Sequence, residues 1–119
     1  MNPPALLRLA EAVRLTSCDS TQDACRRLAA DGAPEGTIVI AGEQTGGRGR
    51  ESRRWHSPAG AGLYTSFLLR PSLEPSRWLV FTPLVALALA EAIDTLRGPA
   101  VEAGRSRRMM IKWPNDVYG

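Results

Sequence analysis

The sequence predicts a domain of the α/β or α+β class, and three observations predict it. Thr37-Ile38-Val39-Ile40-Ala41 is a continuous run rich in β-branched residues, the form of a strand buried on both faces. Segments of helical spacing lie on either side of it, with Ala24, Cys25, Leu28 and Ala29 before and Ser76 to Leu96 after. The elements then read helix, helix, strand, loop, strand, helix, strand, with no internal repeat and no low-complexity linker. At 119 residues the chain makes one domain at most.

Taken in order, Leu6 to Val13 has helical character behind Pro3 and Pro4. Asp19, Ser20 and Thr21 offer N-cap oxygens for the second helix, and Gly32 ends it as a C′ residue. Capping alone accounts for one hydroxyl of the Ser20-Thr21 pair; a helix N-terminus also presents N–H groups to a ligand. Residues 44–62 are Gly-rich and lack a hydrophobic period. They join the Thr37–Ala41 strand to a looser one at Leu63 to Leu69, which Arg70-Pro71 closes. A structureless connection of that length is uncommon in a compact domain and is usually functional or mobile.

Ser76 to Leu96 reads as a helix apolar over most of its surface, with Pro83 interrupting it or marking a late start and Gly98-Pro99 ending it. Its most apolar window, Trp78 to Ala90, falls short of the roughly 20 residues a membrane span needs, so a buried core helix is expected. Residues 99–107 form a polar loop, and Arg108 to Trp113 a third strand that Pro114-Asn115-Asp116 turns. Val117-Tyr118-Gly119 has the look of another strand or hairpin arm just begun, so a chain cut short and a core edge left uncovered are expected.

Charge is concentrated. Four arginines and one glutamate in residues 48–54 carry +3, while the other eleven basic and eleven acidic residues cancel. This is not a chain basic all over, as a general nucleic-acid coat is. It points to an anion held at one place. Cys18 and Cys25 match no common zinc spacing, and His56 is the only histidine, so no Cys/His metal site is expected. Reduced thiols and the lack of a basic, apolar leader at Met1-Asn2-Pro3-Pro4 favour the cytoplasm.

Two segments carry candidate chemistry. In Gln44-Thr45-Gly46-Gly47-Arg48-Gly49-Arg50, glycines let the backbone approach an anion while arginines neutralise it. A solvated turn, or a grip on RNA phosphates, fits the same composition. The other segment holds Lys112, the only lysine among fifteen basic residues, in Lys112-Trp113-Pro114-Asn115-Asp116. An ammonium is a compact point charge, unlike the wide guanidinium fork. It follows Met109-Met110-Ile111 and reads as the end of a buried strand; a drifted surface cation is the plainer alternative. Asn115 and Asp116 serve a turn as readily as a ligand, and Trp55 and Trp113 packing as readily as a ligand wall.

In sequence order, Asp19-Ser20-Thr21-Gln22, the Gln44–Arg50 loop with Trp55, and Lys112-Trp113-Pro114-Asn115-Asp116 closely resemble the biotin–protein ligases, as do Gly32-Ala33-Pro34-Glu35-Gly36-Thr37 and Ser57-Pro58-Ala59-Gly60. The resemblance runs from about Leu15 to the end. It implies a mixed sheet flanked by helices, the biotin/lipoate ligase core similar to class II aminoacyl-tRNA synthetases. It implies ATP-dependent formation of biotinyl-5′-AMP, with magnesium carried in on ATP, then transfer to one lysine of a biotin carboxyl carrier domain. Ser20, Thr21 and Gln22 would line the biotin pocket and Gln44 would bond the ureido ring. Arg48, Gly49 and Arg50, with Gly47 beside them, would hold the carboxylate and the adenylate phosphate. Lys112 would stand at the junction of the two, so that Lys112, Arg48 and Arg50 carry the catalysis.

Gln22 replaces the family's usual Asn, and Glu51-Ser52 its usual Arg-Gly. The resemblance further implies that residues 1–119 are the N-terminal part of a catalytic domain, without a DNA-binding domain or a C-terminal β-domain, and it leaves a homodimer open. No nucleic-acid or membrane partner is expected. The alternatives are a biotin-binding module without catalysis, an RNA-binding protein using the Arg/Gly loop, and a lipoate ligase.

Overall fold

The computed structural model of the protein describes residues 12–104 and 107–119. They fall into two compact units that meet in sequence between Pro71 and Ser72.

The first unit is built on strand β1 (Ala12–Leu15), helix α1 (Thr21–Ala30) and strands β2 (Ile38–Ala41) and β3 (Tyr64–Phe67). β1 runs parallel to β2, with Ala12 opposite Ile38, and β3 runs antiparallel to β2, with Ile38 opposite Phe67. The result is a mixed sheet in the order β1-β2-β3, and α1 supplies the crossover a parallel pair requires. α1 lies against β2 and β3. Its small residues Ala24 and Cys25 meet Val39, the one large side chain fully buried among the described residues, with Leu15, Leu28 and Leu68 at the margin. Ser20 is the N-cap residue and Gly32, at φ +87°, follows the Asp31 C-cap, as the sequence predicts.

Two expectations for this unit are corrected. The helix read over Leu6 to Val13 lies outside the described residues up to Glu11, and its last two residues open β1 instead. Pairing along β2 overrides a weak local preference there. The Gly-rich connection is not structureless. Gln44 forms single bridges with Cys18 and with Ser57, and Arg48 bridges Arg54, so the segment folds back as an irregular hairpin. Its ties include Gln44 N–H to Ser57 O (3.0 Å), Trp55 N–H to Gly47 O (2.9 Å) and Gly49 N–H to Arg53 O (2.7 Å).

The second unit begins with a 3-10 segment, Pro75–Val80, that runs into α2 (Phe81–Leu96). Pro83 is the third residue of α2, close to the join with the 3-10 lead-in. The short α3 (Gly98–Glu102) occupies part of the expected polar loop, because Pro99 is preset for a helical first turn. β4 (Met110–Lys112) and β5 (Asp116–Tyr118) pair as an antiparallel hairpin with Lys112 opposite Asp116. The Trp113–Pro114 peptide in its turn is cis.

α2 lies against the hairpin, and Asp94 Oδ1 accepts the Met109 N–H at 2.9 Å. Within α2 only Ala86 and Ala90 are buried, so the expected core helix is largely uncovered. The helical run Pro75–Leu96 has 22 residues, and its most apolar 18-residue window has a mean hydropathy of 1.8. By length and composition it passes for a membrane span, as a core helix of a soluble protein also can. Lys112 does not end a buried strand. Lys112 is exposed on a two-stranded ribbon.

Candidate functional site

The site grows from the start of α1. Ser20 is buried and extended, yet its hydroxyl makes no cap bond. The cap comes from elsewhere in the chain. Gln44 Oε1 accepts both the Thr21 N–H (2.8 Å) and the Thr21 hydroxyl (3.1 Å). Because Thr21 has one hydroxyl proton and gives it to Gln44, the 2.9 Å contact to Ser66 Oγ is a donation from Ser66. The other end of the Gln44 amide, Nε2, donates to Ser57 Oγ at 3.5 Å. One chain of polar atoms thus ties α1, the Gly-rich hairpin and β3, with Thr21 at 4% and Ser57 at 5% exposure.

Over this chain opens a cleft of about 450 Å³, within the usual range for a small-molecule site. Thr21, Gln44, Arg48, Trp55, Ser57 and Tyr64 are among its walls. Two glycines set the hairpin's closeness. A Cβ on Gly47 would stand 3.1 Å from Ser57 Oγ and 3.2 Å from Gln44 Nε2; one on Gly49 would stand 2.7 Å from Trp55 Nε1. At the tip, Glu51 (φ 57°) and Ser52 (φ 61°) are both left-handed and Arg53 N–H bonds Arg50 O at 3.2 Å. That is the pattern of a type I′ turn, which ordinarily takes Asn or Gly at these positions.

Arg48 reaches from the hairpin to α1, where its Nη2 meets Asp23 Oδ1 at 2.6 Å. Arg26 meets the same oxygen at 3.0 Å. The Arg48 hydrogen bond, with lesser help from Arg26, holds the Asp23 carboxyl below its ordinary value, and Asp23 in turn raises Arg48. The Ser20 N–H, then Arg27, lowers Asp19. Burial raises Cys25, and burial followed by Asp19 raises Cys18, so both thiols stay protonated at neutral pH.

Of the residues singled out in the sequence, Thr21, Gln44, Arg48 and Trp55 line the cleft. Gly47 and Gly49 shape the hairpin behind it, while Ser20, Gln22 and Arg50 are not among its walls. Lys112 belongs to the second unit, on β4. Sequence reasoning missed Ser57, Tyr64, Thr65 and Ser66 as part of this architecture. The available signal was the hydroxyl run Tyr64-Thr65-Ser66 in a strand otherwise bounded by apolar residues.

A mixed sheet, a crossover helix and a polar cleft at that helix's N-terminus define an α/β core with a cleft of small-molecule size. Residues 15–119 match the model of the biotin/lipoate A/B protein ligase family, and the chain belongs to that family. It is 42% identical over 98 residues to the bifunctional ligase/repressor BirA of Bacillus subtilis, covering 82% of this chain and 28% of that protein. To the biotin–[acetyl-CoA-carboxylase] ligase of Paracoccus denitrificans it is 38% identical over 103 residues, covering 87% and 40%. The biotin protein ligase of Aquifex aeolicus in complex with biotin and ATP superimposes with a TM-score of 0.71 at 36% identity, over 92% of this chain and 41% of that one. That of Leishmania major in complex with biotinyl-5-AMP gives 0.75 at 29%, over 90% and 46%. The chain therefore spans less than half the length of these relatives.

Proposed function

We propose that this chain forms part of the catalytic core of a biotin–protein ligase, which activates biotin with ATP to biotinyl-5′-AMP and passes the acyl group to a lysine of a carboxyl carrier domain. The observation that carries the reading is the cleft where the Thr21–Gln44–Ser57 chain and the Arg48 guanidinium share one wall. It offers an uncharged hydrogen-bonding end and a cationic end, as an acid with a cyclic urea head requires. Gln44 serves the head and Arg48 the carboxylate, while Arg50 and Lys112 are the cations assigned to the α-phosphate.

The first step is attack of the biotin carboxylate on the α-phosphorus. A lone pair of one carboxylate oxygen becomes the new O–P bond as the P–O bond to pyrophosphate breaks, and that bonding pair leaves on the pyrophosphate oxygen. No proton need be removed, so cations aimed at the developing charge supply the help. In the second step the neutral lysine amine attacks the acyl carbon, and the amide C–N bond forms as the C–O bond to AMP breaks. AMP leaves with that electron pair, and the nitrogen's extra proton passes to solvent. Among the described residues no three His, Cys, Asp or Glu gather to hold a metal. Magnesium would be carried in on ATP, where it offsets the charge of the pyrophosphate leaving group. The unpaired cysteines suit a cytoplasmic setting.

Pyrophosphate release by the chain given biotin and ATP, alongside a biotin-dependent rise in Tm, tests the proposal; no response to biotin in either assay overturns it. A second reading, a biotin-binding module without catalysis, draws on the fact that every wall of the cleft lies in the first unit. A Tm rise without pyrophosphate release would select it.

A further inference from the structure

We infer that Asp23 is a positioning residue for Arg48, holding one arm of the guanidinium so that the rest of the fork faces a ligand carboxylate in the cleft. The inference rests on the proposed biotin reading and extends it to a residue outside the cleft's walls. Three observations support it. Arg48 lines the cleft while bonded to Asp23, so the pairing does not withdraw it from the site. The bond uses Nη2 alone, one donor of the five that a guanidinium carries. Asp23 is itself pinned, lying in the first turn of α1, where the helix dipole favours a carboxylate, with Arg26 on the same oxygen at 3.0 Å.

The triad Arg26–Asp23–Arg48 keeps a net single positive charge. An arginine half exposed at 52% and carried on a hairpin otherwise loses rotamer entropy when it binds. Asp23 removes part of that freedom in advance, and preorganisation appears as affinity.

The test compares biotin with biotin methyl ester, which keeps the ring system and lacks the charge, by calorimetry on the full chain. The wild-type chain is expected to prefer biotin. Asp23→Asn should weaken biotin roughly five- to tenfold and leave the ester within about twofold, with Asp23→Glu restoring part of the loss. Unchanged biotin affinity in Asp23→Asn, or equal loss for both ligands, overturns the inference. A wild-type chain that does not distinguish biotin from its ester overturns instead the reading of Arg48 as the carboxylate's partner.

Discussion

The two units solve the burial problem differently. The first covers a small core with its own elements: α1 brings Ala24 and Cys25 onto Val39, and a polar chain from Ser57 to Ser66 fastens the edges. The second spends its apolar residues on α2 and its 3-10 lead-in, where Leu79, Val80, Leu84, Val85, Leu87 and Leu89 are all exposed and only two alanines are buried. A helix apolar nearly all round is suited to apolar surroundings on most sides. Stability in the first unit should therefore answer to single residues, and in the second hardly at all.

The sharpest way to break this comparison is Gln44→Leu. Two Thr21 donors would lose their acceptor in a nearly closed site, at a cost of about 2–4 kcal/mol in chemical denaturation, and biotin should no longer raise the Tm. Val39→Ala should cost about 2 kcal/mol, from two lost methyl groups and the cavity they leave. Ser52→Gly should instead stabilise the hairpin by about 1 kcal/mol, since glycine occupies left-handed backbone without penalty. Leu87→Lys should change stability by no more than about 0.5 kcal/mol, while lowering the binding of an apolar dye. A large loss there would mean that α2 is supported by contacts its exposure does not reveal.

Acid sharpens the comparison further. Asp19 and Asp23 have carboxyl groups held below their ordinary 3.8, so their contributions are complete above that value and vanish as pH falls through the lowered native values. Both lie in the first unit. Acid titration followed by circular dichroism should show Asp23→Asn losing less stability than wild type below pH 3.8.

What the sequence revealed follows from the range of the forces involved. The Ile38-Val39-Ile40 strand, the start and stop of α1 and the turn after Lys112 are local, written in side-chain branching, cap residues and proline. β1 was illegible because Ala12-Val13-Arg14-Leu15 has no strand character of its own and acquires it by pairing with β2. Thr21, Gln44 and Arg48 could be singled out by type, but the Gln44 cap on α1 spans 23 positions and the Arg48–Asp23 pair spans 25, beyond the reach of any local pattern. The exposure of α2 was missed for a different reason: hydropathy reports what a helix would prefer against its surface, not what is there.

The Gln44 amide is not free to turn over. Its oxygen is spent on closing a helix, so only hydrogens remain to be offered to whatever enters beside it. Under the proposed biotin reading, that amide would meet a guest's carbonyl and would set donor against donor for a guest showing N–H there. Molecular polarity at a single point is thus selected by a bond that serves the backbone.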